Sequence, residues 1–266
     1  MNSLSTVSYA DRVRGGLLGL LVGDALGVPY EFKSSEDLPD SIDFRLPPGF
    51  PRSHAGVPVG TWSDDGAMAL CLLDSLLHCG RLDTTDLGER FTRWMTLGYL
   101  AVDQHVFDIG MQTSRSLRAI QTGTPAERAG GDDVSSNGNG SLMRVLPLVL
   151  WHQGPDEALI ADAEAQSRIT HAHPRSQAAC ALYCLWARRI LQGVEDAWDD
   201  AVSTLDAHYA RTNPAFLREL RHELLPDHGA RGSGYVVHTV HSTRDALQER
   251  TFAEVAVRAI RFGEDT

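Results

Sequence analysis

Ser63-Asp64-Asp65-Gly66-Ala67-Met68-Ala69-Leu70-Cys71-Leu72-Leu73-Asp74-Ser75-Leu76 sets a hydroxyl and two adjacent carboxylates directly before an apolar run. Met68, Leu72 and Leu76 recur at the spacing that places side chains on one face of a helix. The same period returns in Val13, Leu17, Leu20 and Leu21, and again in Ala178, Ala181, Leu182 and Leu185. Gly and Pro punctuation delimits further helices over roughly 87–97, 106–121, 156–168, 174–192, 195–209, 214–223, 234–248 and 252–261. Strand-like alternation is scarce, and neither repeats nor low-complexity tracts interrupt the pattern. An all-α fold, a single compact orthogonal helical bundle, is the expectation.

With 266 residues, 42% hydrophobic and 22% charged, the chain can bury one large core, so one domain over 1–266 is expected. Its net charge of -11 argues against a non-specific electrostatic grip on nucleic acid or on an anionic membrane, because phosphate binding normally needs a basic face. Cys71, Cys79, Cys180 and Cys184 lack the close pairs of a zinc site and are too few for a disulfide scaffold. The apolar stretch from Gly15 to Val28 is broken by glycines and Asp24 and is too short to span a bilayer. A cytoplasmic monomer is the simplest expectation.

The chemistry-bearing residues lie in a few polar segments. In Gly60-Thr61-Trp62-Ser63-Asp64-Asp65, one residue suffices to cap the helix, which leaves the second carboxylate without a capping role. Gly263-Glu264-Asp265-Thr266, far away in sequence, offers another carboxylate and hydroxyl. Brought together, Ser63, Asp64, Asp65, Asp265 and Thr266 would form an oxygen-only cage suited to Mg²⁺ or Mn²⁺, which makes a metallohydrolase the leading reading. Glu31 follows Pro29 and Tyr30 after the glycines that end the first helix; it is either a solvated surface acid or a movable carboxylate that orients water or touches a metal. Ser135-Ser136-Asn137-Gly138-Asn139-Gly140-Ser141-Leu142-Met143-Arg144 runs from a small-residue loop into a helix, where backbone amides can approach an anion; a capped turn is the plainer alternative. In Thr170-His171-Ala172-His173-Pro174 the two imidazoles point different ways, so a polar contact from His171 to ribose or phosphate is favoured over zinc.

Taken in order, these segments resemble the ADP-ribosylglycohydrolase family, relatives of the dinitrogenase-reductase-activating glycohydrolase. The matching stretches are Arg14 to Gly19 through Gly23-Asp24-Ala25-Leu26-Gly27 to Glu31; Thr61 to Asp65; Phe107-Asp108-Ile109-Gly110; Gly138 to Arg144; Thr170-His171; and Gly232-Ser233-Gly234-Tyr235-Val236-Val237. Each is weak alone, but six collinear motifs covering essentially the whole chain are hard to produce by chance.

The resemblance implies a compact all-α fold with two Mg²⁺ or Mn²⁺ ions and ADP-ribose in a central cleft. It assigns Ser63, Asp64 and Asp65 to the first ligand cluster and Asp265, with Thr266 following, to the late one. Glu31 becomes the acid near the scissile bond, and Asp108 an acid that faces the substrate or the second metal shell. Gly138, Asn139, Gly140 and Ser141 become the phosphate and ribose loop, His171 a ribose or phosphate contact, and Tyr235 a stacking partner for adenine. Relatives continue the late cluster with a second Asp-Thr, so the chain is expected to be truncated at that motif. The expected function is metal-dependent hydrolysis of the bond between ADP-ribose and a modified protein or other acceptor. The alternatives are a catalytically weak ADP-ribose or nucleotide binding module and a helical protein that uses the fold without a site.

Overall fold

The computed structural model describes residues 7–265, and Thr266, named above as a metal ligand, lies outside them. Eleven α-helices make up most of the regular structure of the described residues: α1 (Tyr9–Gly27), α2 (Asp64–Cys79), α3 (Thr84–Leu97), α4 (Met111–Gln121), α5 (Leu146–Trp151), α6 (Asp156–Arg168), α7 (Pro174–Gln192), α8 (Ala197–Thr212), α9 (Pro214–Glu219), α10 (Val236–Ala246) and α11 (Phe252–Ile260). β-structure among them is confined to isolated bridges, Lys33 with Glu264, Gly131 with His171 and Gly138 with Tyr235. The all-α expectation holds.

Helix α7 is the central post. Ala178, Ala179, Cys180, Ala181, Leu182, Cys184 and Leu185 are all fully buried, so it is enclosed on more faces than the single stripe read from the sequence. Around it the core takes in Met68, Leu72 and Leu76 of α2, Phe91 and Trp94 of α3, Leu148 of α5 and Leu205 of α8. Each such large side chain contributes about 1.5–3 kcal/mol by leaving water. Cys180 and Cys184 are unpaired packing residues within this core.

A second, smaller cluster fixes what surrounds the site. Leu26 and Tyr30 pack with Leu38, Ile42, Ala256 and Ile260, joining the end of α1, the 33–60 loop and α11. The Tyr30 hydroxyl donates to the Asp43 carbonyl at 2.6 Å, and Arg261 donates to the Asp40 carbonyl at 2.6 Å.

Two helix boundaries differ from the periodicity by more than three residues. The helix expected from about 106 begins only at Met111, because Phe107-Asp108-Ile109 is non-helical and Asp108 sits in the left-handed region at φ 57°. Tertiary placement of that acid outweighs local propensity. The helix expected over 214–223 ends its α-helical part at Glu219 and passes into a π-turn, Leu220–Leu224.

Candidate active site

A cavity of about 570 Å³ opens where the end of α1, the start of α2, the loop before α4, the 135–143 segment and the residues after α11 meet. Its lining includes Asp24, Glu31, Ser63, Asp64, Asp65, Asp108 and Asp265, together with Gly138, Asn139, Gly140 and His171. No lysine or arginine is among the lining residues described. Acids from both ends of the sequence therefore line one cavity.

The start of α2 explains why Asp64 and Asp65 face the cavity. Ser63 is the N-cap, its hydroxyl accepting from the Asp65 amide at 3.3 Å. Asp24, in the last turn of α1, accepts from the Ser63 amide at 3.0 Å, the Ser63 hydroxyl at 2.8 Å and the Gly66 amide at 2.8 Å. A serine and a carboxylate from another helix thus satisfy the free amides and complement the helix dipole. Asp64 and Asp65 are left free of capping. From the sequence Asp24 reads as a charge that interrupts an apolar run and as part of the matching stretch Gly23 to Gly27, without a site role of its own.

Asp265 is carried on a short tail that turns through left-handed Gly263 and Glu264, φ 75° and 58°. Lys33 and Glu264 pair through their backbones, Glu264 donating to the Lys33 carbonyl at 2.6 Å, and Asp265 donates to the Gly232 carbonyl at 2.5 Å. Its carboxylate accepts from Asn139 Nδ2 at 3.1 Å. Gly234 is needed for this approach: a Cβ there would stand 2.5 Å from Asp265 Oδ2.

Glu31 is only 9% exposed, which removes the solvated-acid alternative. Its Oε2 lies 2.8 Å from His54 Nε2. Glu31, His54 and Asp108 bring ligand atoms within 4.8 Å of one another, a spacing that can hold a metal ion. His54, from the 33–60 loop, carried no sequence signal. Phe32, His54 and Asp108 all have positive φ, 58°, 48° and 57°. Left-handed non-glycine residues cost about 1–3 kcal/mol each and persist where the surroundings over-determine them; here three converge on one acid.

The glycine-rich segment lines the same cavity and touches the late acid through Asn139. Asn139 donates its amide to the Gly234 carbonyl at 2.8 Å, and Gly138 bridges to Tyr235. Gly140 leaves room for His171, whose Cε1 would lie 2.9 Å from an added Cβ. His171 Nδ1 pairs with the Thr170 hydroxyl at 2.9 Å, and burial, then the charge of Arg144, lowers its pKa to about 3, so the imidazole is neutral at physiological pH. Fully buried Arg144 anchors the segment by donating to Gln166 Oε1 at 3.1 Å and the Gln166 carbonyl at 2.9 Å. His173 instead caps α7. Two expected contacts lie off the cavity. Ser141 is fully buried and accepts from Ser167 Oγ at 2.8 Å, and the Tyr235 phenol accepts from Arg175 at 2.6 Å.

Burial raises the pKa of Glu31, Asp24, Asp64, Asp65 and Asp265. Repulsion adds to it, chiefly from Asp108 on Glu31 and from Asp65 on Asp64. A hard divalent cation fits this donor set because it supplies the countercharge that no basic residue provides. These acids bind protons more tightly folded than unfolded. In chelator, the melting temperature is therefore expected to fall as pH rises from 5 to 8. Saturating Mn²⁺ is expected to flatten that slope and raise the melting temperature at pH 8 by about 5–10 °C. A flat profile in chelator with no response to Mn²⁺ would contradict the charge argument.

The sequence profile of the ADP-ribosylglycohydrolase family matches residues 5–266. The chain belongs to the ADP-ribosylglycohydrolase family. Among relatives of this ADP-ribosylglycohydrolase chain, the ADP-ribosylarginine hydrolase Tri1 of Serratia proteamaculans is 29% identical over 96% of the chain and 67% of the relative. The Tri1 of Pseudomonas putida is 29% identical over 99% of the chain and 68% of the relative. The ADP-ribosyl-[dinitrogen reductase] glycohydrolase of Rhodospirillum rubrum is 35% identical over 65% of the chain and 55% of its own length. A solved structure titled ADP-ribosylglycohydrolase-related protein complex superposes with a TM-score of 0.73 at 30% identity, covering 97% of this chain and 82% of that one. The all-α family fold and the collinear motifs agree with these likenesses. No described helix is long and apolar enough to cross a membrane.

Proposed function

We propose that this chain is a metal-dependent hydrolase that cleaves the glycosidic bond between ADP-ribose and a modified acceptor. The observation that carries the reading is the meeting of Asp24, Glu31, Asp64, Asp65, Asp108 and Asp265 in one cavity that also holds a glycine-rich segment and a neutral histidine. Family membership and the names of the Tri1 and dinitrogen reductase relatives support it.

In this reading Ser63, Asp64, Asp65 and Asp265 hold two Mg²⁺ or Mn²⁺ ions, which when bound supply positive charge to anchor ribose hydroxyls and to acidify water. The remaining chemistry falls to the chain. Gly138, Asn139 and Gly140 receive the diphosphate or ribose, and neutral His171 offers a hydrogen bond without adding charge. Bond cleavage at the anomeric carbon builds positive charge on the sugar, which the carboxylate wall stabilises. Glu31 accepts the proton of the attacking water at its carboxylate, which burial beside Asp108 biases toward the protonated form and a bound cation would keep ionised. Asp108 faces the same reacting region. The unpaired cysteines fit a reducing compartment, in line with a cytoplasmic role.

The test is a panel of arginine- and serine-linked ADP-ribosyl peptides with and without EDTA. Release of ADP-ribose that EDTA abolishes and Mg²⁺ or Mn²⁺ restores is expected. Tight ADP-ribose binding without release from any substrate would favour the binding module instead.

A further inference from the structure

Beneath the glycine-rich segment lies a set of buried polar side chains with no part in the reaction so far. Thr170, Ser116 and Ser167 are all withdrawn from water, Thr170 completely. The Thr170 carbonyl accepts from Gln112 Nε2 at 3.0 Å and from Ser116 Oγ at 3.2 Å, and the His171 carbonyl accepts from Ser167 Oγ at 2.9 Å. Both backbones are thereby pinned, and the two side chains meet. Thr170 Oγ1 stands 2.9 Å from His171 Nδ1, and this ring nitrogen is the hydroxyl's one hydrogen-bond partner among the described residues. The other ring nitrogen, Nε2, lies on the cavity side: a Cβ on Gly138 would stand 3.4 Å from it.

A buried hydroxyl carries one proton, and a donor left without an acceptor costs more than an idle lone pair. Thr170 has one acceptor in reach, Nδ1. If Nδ1 carried its own hydrogen, the hydroxyl proton would be stranded in a dry interior. The imidazole is neutral, so its single hydrogen then sits on the nitrogen that faces the cavity.

We propose that Thr170 is a positioning residue that fixes the tautomer of His171, so that Nε2–H is presented to the cavity as a hydrogen-bond donor. This rests on the reading of the cavity as an ADP-ribose site and deepens it. The partner of His171 is an oxygen that offers a lone pair, in the diphosphate or the ribose, and His171 takes no proton from water or from a ribose hydroxyl. Proton acceptance stays with Glu31. Serine at 170 would supply the same hydroxyl, whereas valine keeps the shape and cannot donate.

The imidazole nitrogens are read from two-bond ¹H–¹⁵N correlation spectra, in chelator, of wild type, Thr170→Ser and Thr170→Val. His171→Gln identifies the His171 signals among those of the 11 histidines. ADP-ribose affinity by calorimetry, and KM and kcat on ADP-ribosyl peptides, are measured with Mg²⁺ on the same proteins. Wild type and Thr170→Ser are expected to carry the hydrogen on Nε2, with Nδ1 shifted as a hydrogen-bond acceptor. In Thr170→Val that shift is lost, ADP-ribose binds about three- to tenfold more weakly, KM rises in step, and kcat stays within about twofold of wild type. A hydrogen on Nδ1 in wild type overturns the proposal, whatever the variants do. So does a Thr170→Val protein with wild-type nitrogen shifts or wild-type affinity, a loss in kcat alone, or a Thr170→Ser protein that loses as much as Thr170→Val. Should wild type neither bind nor release ADP-ribose, the reading of the site falls separately, and the nitrogen spectra still decide the tautomer.

Discussion

The double substitution Asp64→Asn/Asp65→Asn is expected to lower ADP-ribose release by roughly a thousandfold or more, because it removes the donors that would position divalent cations worth several kcal/mol to the transition state. The same variant should melt higher than wild type in chelator, since two repelling acids with raised pKa become neutral amides of similar shape. Its response to Mn²⁺ should vanish. These opposite signs separate a lost site from a damaged fold: a variant that melts lower in chelator has been harmed structurally. One that keeps wild-type turnover shows that Asp64 and Asp65 do not serve the reaction. Because Ser63 and Asp24 carry the capping of α2, the amides leave the helix start satisfied.

Glu31→Gln is expected to reduce turnover by about 10²- to 10⁴-fold, the usual contribution of a positioned proton acceptor, while ADP-ribose affinity stays close to wild type. The glutamine keeps the side-chain length and can still pair with His54 Nε2, so the loss would report the missing base rather than a displaced loop. Single-turnover kinetics beside calorimetric binding of ADP-ribose distinguish the outcomes. Unchanged turnover would take Glu31 out of the chemistry, and a parallel loss of affinity would make it a binding residue.

The helical architecture was readable because amphipathic spacing reports burial directly, as in Met68, Leu72 and Leu76. The acids at 64, 65 and 265 were readable because hard-ligand residue types stood where the resemblance to the family placed them. Asp24 received no site role, although it stands in a matching stretch, since a single charge in an apolar run looks like an interruption until α1 is docked against α2. His54 was invisible for a different reason: its loop has no period, and only the fold of 33–60 over Tyr30 and Ile42 brings it to Glu31. Asp108 illustrates the limit of propensity, because a helical pattern runs through Val106 and Phe107 while the backbone at 108 turns left-handed to aim its carboxylate. Ser141 shows the converse, a motif hydroxyl spent on the core through Ser167.

Because a carboxylate from the final turn of α1 closes the amide ends of α2, the two segments behave as lock and key within a single chain. Chimeras between relatives should exchange them as one cassette; swapping either alone would leave an acid facing foreign amides, or open amides facing nothing, at the spot where like charges are already crowded.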